Sequence, residues 1–510
     1  MSALAGLRGG LMVCGTTSDA GKSQVVAGLC RALRRRGVSV APFKAQNMAN
    51  NSYVTSEGLE IGRAQAMQAM AAHVQPEVAM NPVLLKPEGE RVSQVVVRGV
   101  PIGRLSAAEY YARKPELLGV VLESLAELRE RFDVVLCEGA GSPTEINLLA
   151  HDIVNLRVAH EAGLPAIVVG DINLGGVFAA LYGTVALLPD HLRACVRGFV
   201  INKLRGDPAL LFDGTAQLER ACGVPTLGVL PWIQNLTLDA EDSMGLGSWR
   251  GASAAEPLGD SLDIAVLKLP RIANFTDFDP LGIEPGVHVR FVEHASSLGR
   301  PDLIVIPGSK ATVADLGWLR ATGFVDAIER STASVLGICA GYQMLGETIE
   351  DDVESGAGVV DGLGLLQVRT RFEPTKVTRQ CAGAALGETL HGYQIHHGLV
   401  TATGSEAAAE PWMMIDDPDG PPAGEVRTEF GGRLVAGTTM HGLFESDGFR
   451  AAFLRDIASR SSKNFVPAGV SFAAMREAQI DRLADALETY VDLDRVVELI
   501  SSAARPAGVR

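Results

Sequence analysis

Residues 11–23 read LMVCGTTSDAGKS, and this stretch decides the fold of the first half of the chain. Its four leading apolar residues predict a short buried strand, and the residues after Ser23 have helical spacing. Between strand and helix, the glycines allow a tight turn, Lys22 supplies positive charge, and Ser23 offers a hydroxyl to Mg²⁺. Backbone amides at such a helix start bind phosphate. The stretch therefore predicts an ATP-binding loop made of Gly15, Thr16, Thr17, Gly21, Lys22 and Ser23.

Polar residues follow three further apolar runs of the first half. Short apolar runs that alternate with helical patterns predict a parallel sheet covered by helices on both faces. Lys44, Glu138 and Asn202 each stand directly after such a run. Because ligands bind at the carboxyl ends of parallel strands, we expect Lys44 beside the phosphates, Glu138 with Ser23 on Mg²⁺, and Asn202 at the adenine. The alternatives are a solvated lysine, a surface glutamate and an ordinary turn.

The second half contains a thiol in a strained turn. Residues 333–346 read ASVLGICAGYQMLG, which predicts a strand, a G-x-C-x-G turn and a helix, with Cys339 in the nucleophile position. A helix N-terminus favours the thiolate. The amide of Ala340 would form half of an oxyanion hole, and Gly308, in the loop after another apolar run, would complete it. A buried structural cysteine is the alternative.

A thiolate needs a base, and His441 in GTTMHGLFE is the best candidate among ten histidines because it follows a strand and precedes a glycine. His396 and His397, in GYQIHHG, are the rival pair. Glu445, four residues after His441, is a candidate for a third member of the site. The sequence therefore predicts a Cys339–His441 dyad with its third member unassigned.

Composition limits the function classes. The chain has 510 residues, 47% of them hydrophobic, with a net charge of −15, which argues against nucleic acid as a principal partner. Its seven cysteines include no CxxC pair, which is typical of reduced thiols in a cytoplasmic protein rather than of disulfides or a zinc site. We expect no cleavable signal, no membrane span and no tightly bound organic cofactor.

The pattern along the chain predicts an α/β protein with two domains. A P-loop parallel-sheet domain would occupy residues 1–240, and a Gly-, Ser- and Ala-rich linker residues 241–260. A second α/β domain would follow over residues 261–448. Residues 449–510 have apolar residues at helical spacing and predict a C-terminal helical extension that packs on the second domain.

The first half resembles dethiobiotin synthetase and its relatives. The resemblance rests on the five residues between Gly15 and Gly21, the strand-end Lys44, EGAG at 138–141, Asn202 and GVLP at 228–231. Thr17 stands where partition and septum-site ATPases carry their signature lysine, which argues against a polymerising or membrane-cycling switch. The resemblance implies phosphorylation of a carboxylate, with Lys22 and Lys44 on the transferring phosphoryl group.

The second half resembles a class I glutamine amidotransferase domain through PGSK, GICAG and HGLFE. The order of the two halves, with PFKAQNMANNS, EIGRAQAMQA and MNPVLLKP, is similar to the cobalamin-pathway amidases, and specifically to the cobyric acid synthase family. This resemblance implies an amidoligase that acts on the b, d, e and g carboxylates of a corrinoid substrate, adenosylcobyrinic acid a,c-diamide, with ATP, Mg²⁺ and glutamine. Lys86, Arg91 and Arg98 are candidate clamps for these carboxylates.

Two alternative functions remain at this point. Cobyrinic acid a,c-diamide synthase carries out the same two reactions on different carboxylates. A nucleotide-dependent binding switch with an inactive amidotransferase domain belongs to another class altogether. The number of amides formed distinguishes the first alternative, and glutaminase activity distinguishes the second.

Overall fold

The computed structural model describes residue 4 and residues 6–89, 91–234, 236, 260–403, 411–417, 423–430 and 433–503. The predicted linker, residues 241–260, lies outside the described residues except for Asp260. In the described part of the chain, every helix is too short or too polar to cross a bilayer.

The first region alternates strands and helices, as the sequence predicts. Its elements are β1 (Gly9–Gly15), α1 (Lys22–Arg35), β2 (Val40–Phe43), β3 (Gln46–Met48), β4 (Ser52–Val54), β5 (Glu60–Gly62), α2 (Arg63–Ala71), β6 (Val83–Pro87), β7 (Val92–Val97), β8 (Val100–Ser106), α3 (Ala107–Arg131), β9 (Val134–Glu138), α4 (Leu156–Glu161), β10 (Ala166–Asp171), α5 (Val177–Leu187), α6 (Asp190–Arg193), β11 (Val196–Leu204), α7 (Phe212–Cys222) and β12 (Thr226–Pro231).

The main sheet of this region is parallel and has the order β12-β11-β10-β1-β9-β2. Its strands are buried on both faces, which is why they read as continuous apolar runs. β1 lies between β9 and β10, with Val13 in register with Glu138. β2 follows β9 on the outside, with Phe43 opposite Cys137. The residues after β1, β9 and β2 therefore meet at one edge of the sheet.

A small substructure between β2 and α3 was not predicted. It contains a mixed sheet of order β3-β6-β7-β8 and the antiparallel pair β4-β5. Several of these strands have three residues, which is too short for a periodic sequence signal. The substructure lies against the second region, since Val54 shares a buried cluster with Tyr393 and Ile395.

The second region is also α/β. Its elements are β13 (Leu262–Leu267), β14 (Ile272–Ala273), α8 (Asp279–Gly282), β15 (Val287–Val292), β16 (Leu303–Ile306), β17 (Gly308–Ser309), α9 (Thr312–Ala321), α10 (Phe324–Arg330), β18 (Ser334–Ile338), α11 (Ala340–Leu345), β19 (Thr348–Asp351), β20 (Gly358–Asp361), β21 (Val368–Ala385), β22 (Glu388–Ala402), β23 (Pro411–Ile415), β24 (Ala423–Phe430) and β25 (Arg433–Thr438). The order is β15-β13-β16-β18-β25-β24-β23-β21-β19-β20, with β22 paired to β21. The sheet is parallel from β15 to β25 and antiparallel from β24 onward, except that β21 and β19 are parallel.

The chain ends in three helices, α12 (Asp447–Arg460), α13 (Phe472–Tyr490) and α14 (Leu493–Ser502). These helices do not all pack on the same region. α12 packs on the second region, where Phe453 contacts Trp412. The prediction that the rest of the extension packs there is wrong: α13 lies along α1, with Leu487 in the same buried cluster as Val25 and Arg31 bonded to Asp481 at 2.7 Å. The apolar face of α1 would otherwise be exposed, and α13 covers it, while α14 packs on β1.

Candidate active site

The phosphate loop forms a turn between β1 and α1 that only glycine can make. Gly21 has φ +95°, and a Cβ at Gly15 would lie 3.0 Å from the side chain of Lys22. Lys22 is buried, and its Nζ donates to the carbonyls of Thr17 at 2.8 Å and Ser18 at 2.9 Å. The amide of Thr16 donates to Val169, which ties the loop to β10. The ammonium is thus held over the loop, where a phosphate group would need it.

Glu138 is the centre of a buried polar cluster beside this loop. Its Oε1 accepts from Ser23 Oγ at 2.8 Å and from Lys44 Nζ at 3.0 Å. Its Oε2 accepts from Gln68 Nε2, a contact that the sequence analysis missed. Burial alone would raise the pKa of Glu138, but Lys44 and the hydrogen bonds outweigh burial and lower that pKa below its ordinary value. The carboxylate is therefore ionised and ready to bind a cation.

Ser23 and Glu138 fit a magnesium ion by their chemistry. Mg²⁺ prefers oxygen ligands at about 2.1 Å in an octahedron, which places neighbouring ligands roughly 3 Å apart. Ser23 Oγ and Glu138 Oε1 are 2.8 Å apart. Among the described residues, no group of three or more His, Cys, Asp and Glu side chains could hold a metal ion. Two protein oxygens plus phosphate oxygens and water is the usual arrangement for Mg²⁺ in nucleotide sites.

Asn202 lies under the phosphate loop and beside a small cavity. Its Nδ2 donates to the carbonyl of Ala20 at 2.9 Å, and a Cβ at Gly21 would come within 2.1 Å of that nitrogen. The cavity is about 110 Å³ and is lined by residues of four elements, α1, β11, β12 and α13, and of the segment after β12, among them Gln24, Asn202, Pro231, Trp232, Leu483 and Leu487. Its mixture of apolar surface and an amide suits a nucleobase. The contribution of α13 to this cavity was not predicted.

The thiol turn has the strained geometry that its sequence predicts. Cys339 directly follows β18 and has φ +52°, which is rare for a residue with a side chain. A Cβ at Gly341 would lie 1.9 Å from the carbonyl oxygen of Ile306, so a side chain is excluded there. The amide of Cys339 donates to Thr438 at 2.7 Å, which joins the turn to the end of β25. Strain of this kind is typical of functional turns.

His441 lies at the end of β25 and faces the thiol. β18 and β25 are parallel neighbours, with Ile338 opposite Thr438, so Cys339 and His441 leave the sheet at the same edge. Burial alone would lower the pKa of His441, but the charges and hydrogen bonds of Asp277 and Cys339 raise that pKa to about 10. His441 is therefore protonated at neutral pH beside the cysteine.

The third member of the site is Asp277, which the sequence analysis missed. Its Oδ2 lies 2.7 Å from His441 Nδ1, and its Oδ1 accepts from the amide of Gly442 at 2.9 Å. The two side chains are 3% and 1% exposed, so water does not screen the pair. Glu445 does not take this role, because its carboxylate pairs with Arg63 and with Arg476 instead.

The predicted oxyanion residues, Gly308 and Ala340, border a second cavity, beside Cys339 and His441. Gly308 pairs with Ala273 and lies so close to His441 that an added Cβ would be 3.0 Å from the ring. Ala340 begins α11 directly after the thiol. The cavity, about 40 Å³, is bounded by Cys339, Ala340, Gly308 and His441, and also by three lysines: Lys86, Lys310 and Lys376.

The rival histidines have different environments. His396 borders the same cavity, and burial lowers its pKa to about 4, so it is neutral. Among the described residues, neither ring nitrogen of His396 forms a hydrogen bond of normal geometry. The nearby backbone of Gly398 raises the pKa of His396, but burial has the larger effect. His397 Nδ1 lies 3.0 Å from the carbonyl of Glu373. The hydrogen-bonded aspartate distinguishes His441 from both.

The candidate carboxylate clamps are dispersed. Lys86 is buried, bonds to Glu60 and faces the thiol cavity, and Lys376 binds the other oxygen of Glu60 at 2.7 Å. Arg98 pairs with Glu127 on α3 at 2.6 Å. Arg91 is exposed. The structure does not bring these three side chains together.

Comparison with known proteins agrees with this division. Residues 11–245 match the CobQ/CobB/MinD/ParA nucleotide binding domain, and residues 263–449 match the CobB/CobQ-like glutamine amidotransferase domain. The predicted fold, a P-loop parallel-sheet domain followed by an amidotransferase-like α/β domain, is thereby confirmed.

Three relatives that match over nearly their full length are cobyric acid synthases. The cobyric acid synthase of Streptomyces coelicolor is 53% identical over 99% of this chain and 98% of its own length. Those of Rhodococcus jostii and Mycolicibacterium paratuberculosis are 51% and 50% identical, over 98% and 97% of this chain and 97% of each relative. With such identity over nearly the whole length of both partners, this chain belongs to the cobyric acid synthase family.

Proposed function

We propose that this protein is an ATP- and glutamine-dependent amidoligase. Its substrate would be adenosylcobyrinic acid a,c-diamide, amidated at the b, d, e and g carboxylates to give adenosylcobyric acid. Family membership supports the substrate class. The observation that carries the chemistry is that one chain holds a buried Cys339–His441–Asp277 arrangement and a phosphate loop flanked by Lys44 and Glu138.

The first domain, residues 1–240, would activate the carboxylate. An oxygen of the substrate carboxylate attacks the γ-phosphorus of ATP, ADP leaves, and an acyl phosphate forms. Lys22 and Lys44 would stabilise the negative charge on the transferring group; their positions beside the loop and Glu138 support this role. Mg²⁺, held by Ser23 and Glu138, would neutralise phosphate charge. Ammonia then attacks the acyl carbon, and inorganic phosphate leaves as the amide forms.

The second domain, residues 261–448, would supply the ammonia. The Cys339 thiolate attacks the side-chain amide carbon of glutamine, and the amides of Ala340 and Gly308 are candidates to stabilise the oxyanion. His441 gives its proton to the leaving nitrogen, so that ammonia departs and a thioester remains. Water, deprotonated by His441, hydrolyses the thioester to glutamate. Asp277 holds the ring through Nδ1 and stabilises the imidazolium.

The proposed role of Cys339 also indicates the cell compartment in which the enzyme works. Cys339 acts only as a free thiol, and the seven cysteines are unpaired in the structure. We therefore propose a reducing compartment, the cytoplasm, as the place of the reaction.

Counting products tests the function. The purified enzyme would receive adenosylcobyrinic acid a,c-diamide with ATP, Mg²⁺ and glutamine, and the amides and phosphates formed per corrin would be measured. Four of each support the proposal, whereas two amides on cobyrinic acid support a cobyrinic acid a,c-diamide synthase. Cys339→Ser should abolish glutamine hydrolysis and leave ammonia-supported amidation intact. An unmodified chain without glutaminase activity would instead support the nucleotide-dependent switch.

A further inference from the structure

The turn that carries Asp277 is bonded to the first domain as well as to its own. The turn comprises residues 274–278, and Asn274 begins it with φ +52°. Asn274, Thr276 and Asp277 are each 3% exposed, so every bond to the turn is shielded from water. Because Asp277 lies on a single turn of 3₁₀ helix and not within a strand or a long helix, its position depends on what anchors that turn.

A reciprocal pair of hydrogen bonds crosses the domain boundary at this turn. Asn51 Oδ1 accepts from the amide of Phe275 at 3.1 Å, and Asn274 Oδ1 accepts from the amide of Ser52 at 2.9 Å. Asn51 and Ser52 are 2% and 0% exposed. Buried bonds of this kind are costly to leave unmade, so the pair fixes the turn firmly to the segment that begins β4.

Ser52 is itself held from both sides. Its hydroxyl donates to Glu60 at 2.7 Å, and its carbonyl accepts from the Tyr393 hydroxyl at 3.1 Å. The ring of Tyr393 stacks on His441, with centroids 5.4 Å apart. The first domain thus touches both His441, through Tyr393, and Asp277, through Asn51 and Asn274.

We infer that Asn51 of the first domain is a positioning residue for the glutaminase reaction of the second. It acts through the 274–278 turn on Asp277, and Asp277 in turn sets the orientation of the His441 ring. The glutaminase site is then complete only when the two domains are in contact. This inference rests on the proposed glutaminase function of Cys339 and His441.

The same segment also leads to the synthetase site. The backbone carbonyl of Asn51 accepts from the amide of Arg63, the first residue of α2. One and a half turns further along α2, Gln68 bonds to Glu138 beside the phosphate loop. Asn51 therefore connects the turn of the catalytic aspartate to a helix that contacts the ATP site, and the two half-reactions share a structural element.

Replacement of Asn51 by alanine tests the inference in the full-length enzyme. Asn51→Ala should lower the glutaminase kcat about tenfold, with KM for glutamine changed less than about threefold, because a buried hydrogen bond that orients a catalytic group is lost while the glutamine cavity keeps its lining. Ammonia-supported amidation should stay within about twofold of the unmodified enzyme, since the bond from Arg63 uses the backbone carbonyl of residue 51, which alanine keeps, and the phosphate loop keeps all its side chains.

The pH profile separates positioning from a general structural effect. The titratable groups around the His441 ring are Asp277, Cys339, Tyr393, which stacks on the ring, and His396, which burial keeps neutral. Lys86, Lys310 and Lys376 line the same cavity, and Asn51→Ala changes none of these side chains. If Asp277 is displaced, the imidazolium loses its support, so the alkaline limb of the glutaminase profile should move to lower pH in Asn51→Ala. A purely structural defect would lower the whole profile without moving that limb.

Two further variants complete the test. Asn274→Gly removes the other half of the pair while it keeps the positive φ, and the double variant should lose little more than either single variant, because both disrupt one unit. Gln380→Ala is the matched control, since Gln380 crosses the same boundary to Tyr53 and Val54 but does not touch the turn. The inference is overturned by normal glutaminase kcat in Asn51→Ala, by parallel loss of both activities, or by an equal defect in Gln380→Ala. Glutamine hydrolysis is measured without corrin, so failure of the proposed amidation leaves this result interpretable.

Discussion

Replacing Asp277 with asparagine changes the shape of that side chain very little and removes its charge from the glutaminase site. In the unmodified protein Asp277 Oδ2 lies 2.7 Å from His441 Nδ1, and Oδ1 accepts from the amide of Gly442. An asparagine would keep its oxygen on Gly442 and turn its NH₂ group toward Nδ1. The ring would then carry its proton on Nε2, where it cannot accept one from the thiol.

The size of the effect follows from the burial of the pair. Both side chains are at most 3% exposed, so the bond is a charge-assisted one that water does not screen. Such bonds contribute about 1.5–3 kcal/mol, which corresponds to a loss of roughly 10- to 150-fold in glutaminase kcat/KM. Ammonia-supported amidation should remain within about twofold, because the phosphate loop is untouched.

The pH profile gives a second measure of the same variant. Asp277 and Cys339 raise the pKa of His441 to about 10, so the imidazolium that protonates the leaving nitrogen persists up to that pH. Without the carboxylate the pKa falls, and the alkaline limb of glutaminase activity should move toward neutral pH.

Steady-state glutamine hydrolysis, measured by glutamate release across pH, is the assay. Glu445→Gln is the matched control, since Glu445 is also a carboxylate near His441 but pairs with Arg63 and Arg476. It should retain glutaminase activity to within about threefold, as expected for a group that does not touch the reacting atoms. Normal activity in Asp277→Asn together with a large loss in Glu445→Gln would refute the assignment.

Three further predictions concern other parts of the molecule. Glu138→Gln should lower ATP-dependent amidation at least about tenfold and raise the Mg²⁺ concentration needed for half-maximal rate, with glutamine hydrolysis retained, because the buried carboxylate loses its charge. Gly28→Ala should lower the melting temperature, since its Cβ would come within 2.4 Å of Leu487 and push α13 from α1, whereas Gly119→Ala, on an open helix face, should slightly raise it. Burial raises the pKa of Glu425 to about 7, so the contribution of this residue to stability is full below about pH 4.5 and is lost as pH rises through 7. Glutamine carries no charge at either pH, so the melting temperature of Glu425→Gln minus that of the unmodified protein should be larger at pH 8 than at pH 5.

Much of the synthetase site could be predicted because its residues lie at the ends of strands. Lys44 and Glu138 each follow an apolar run, and parallel strands that are neighbours in a sheet must place such residues at one edge. Gln68 was missed because it lies within a helix that shows no amphipathic pattern to mark which side faces the site. Its bond to Glu138 depends on how α2 packs, and local sequence does not reveal that.

The C-terminal helices illustrate a second limit. Their periodicity predicts helices correctly, but an apolar face does not specify its partner. α13 lies more than 400 residues from α1 in sequence, as the bond between Arg31 and Asp481 shows, so no local pattern relates the two helices. Only the packed structure decides that α13 covers α1 and lines the cavity beside Asn202.

The sequence by itself determined the two loops, because a phosphate turn and a thiol elbow each depend on residues within about ten positions of one another, where backbone geometry limits the choices. It also predicted Cys339 as the nucleophile, since the positive φ of that residue is part of the local turn. Only the tertiary structure brings Asp277 to His441 as the proposed third member of the site. Asp277 lies 164 residues before His441 on a short 3₁₀ helix that the first domain anchors, and a hydrogen bond between such distant segments leaves no spacing in the sequence.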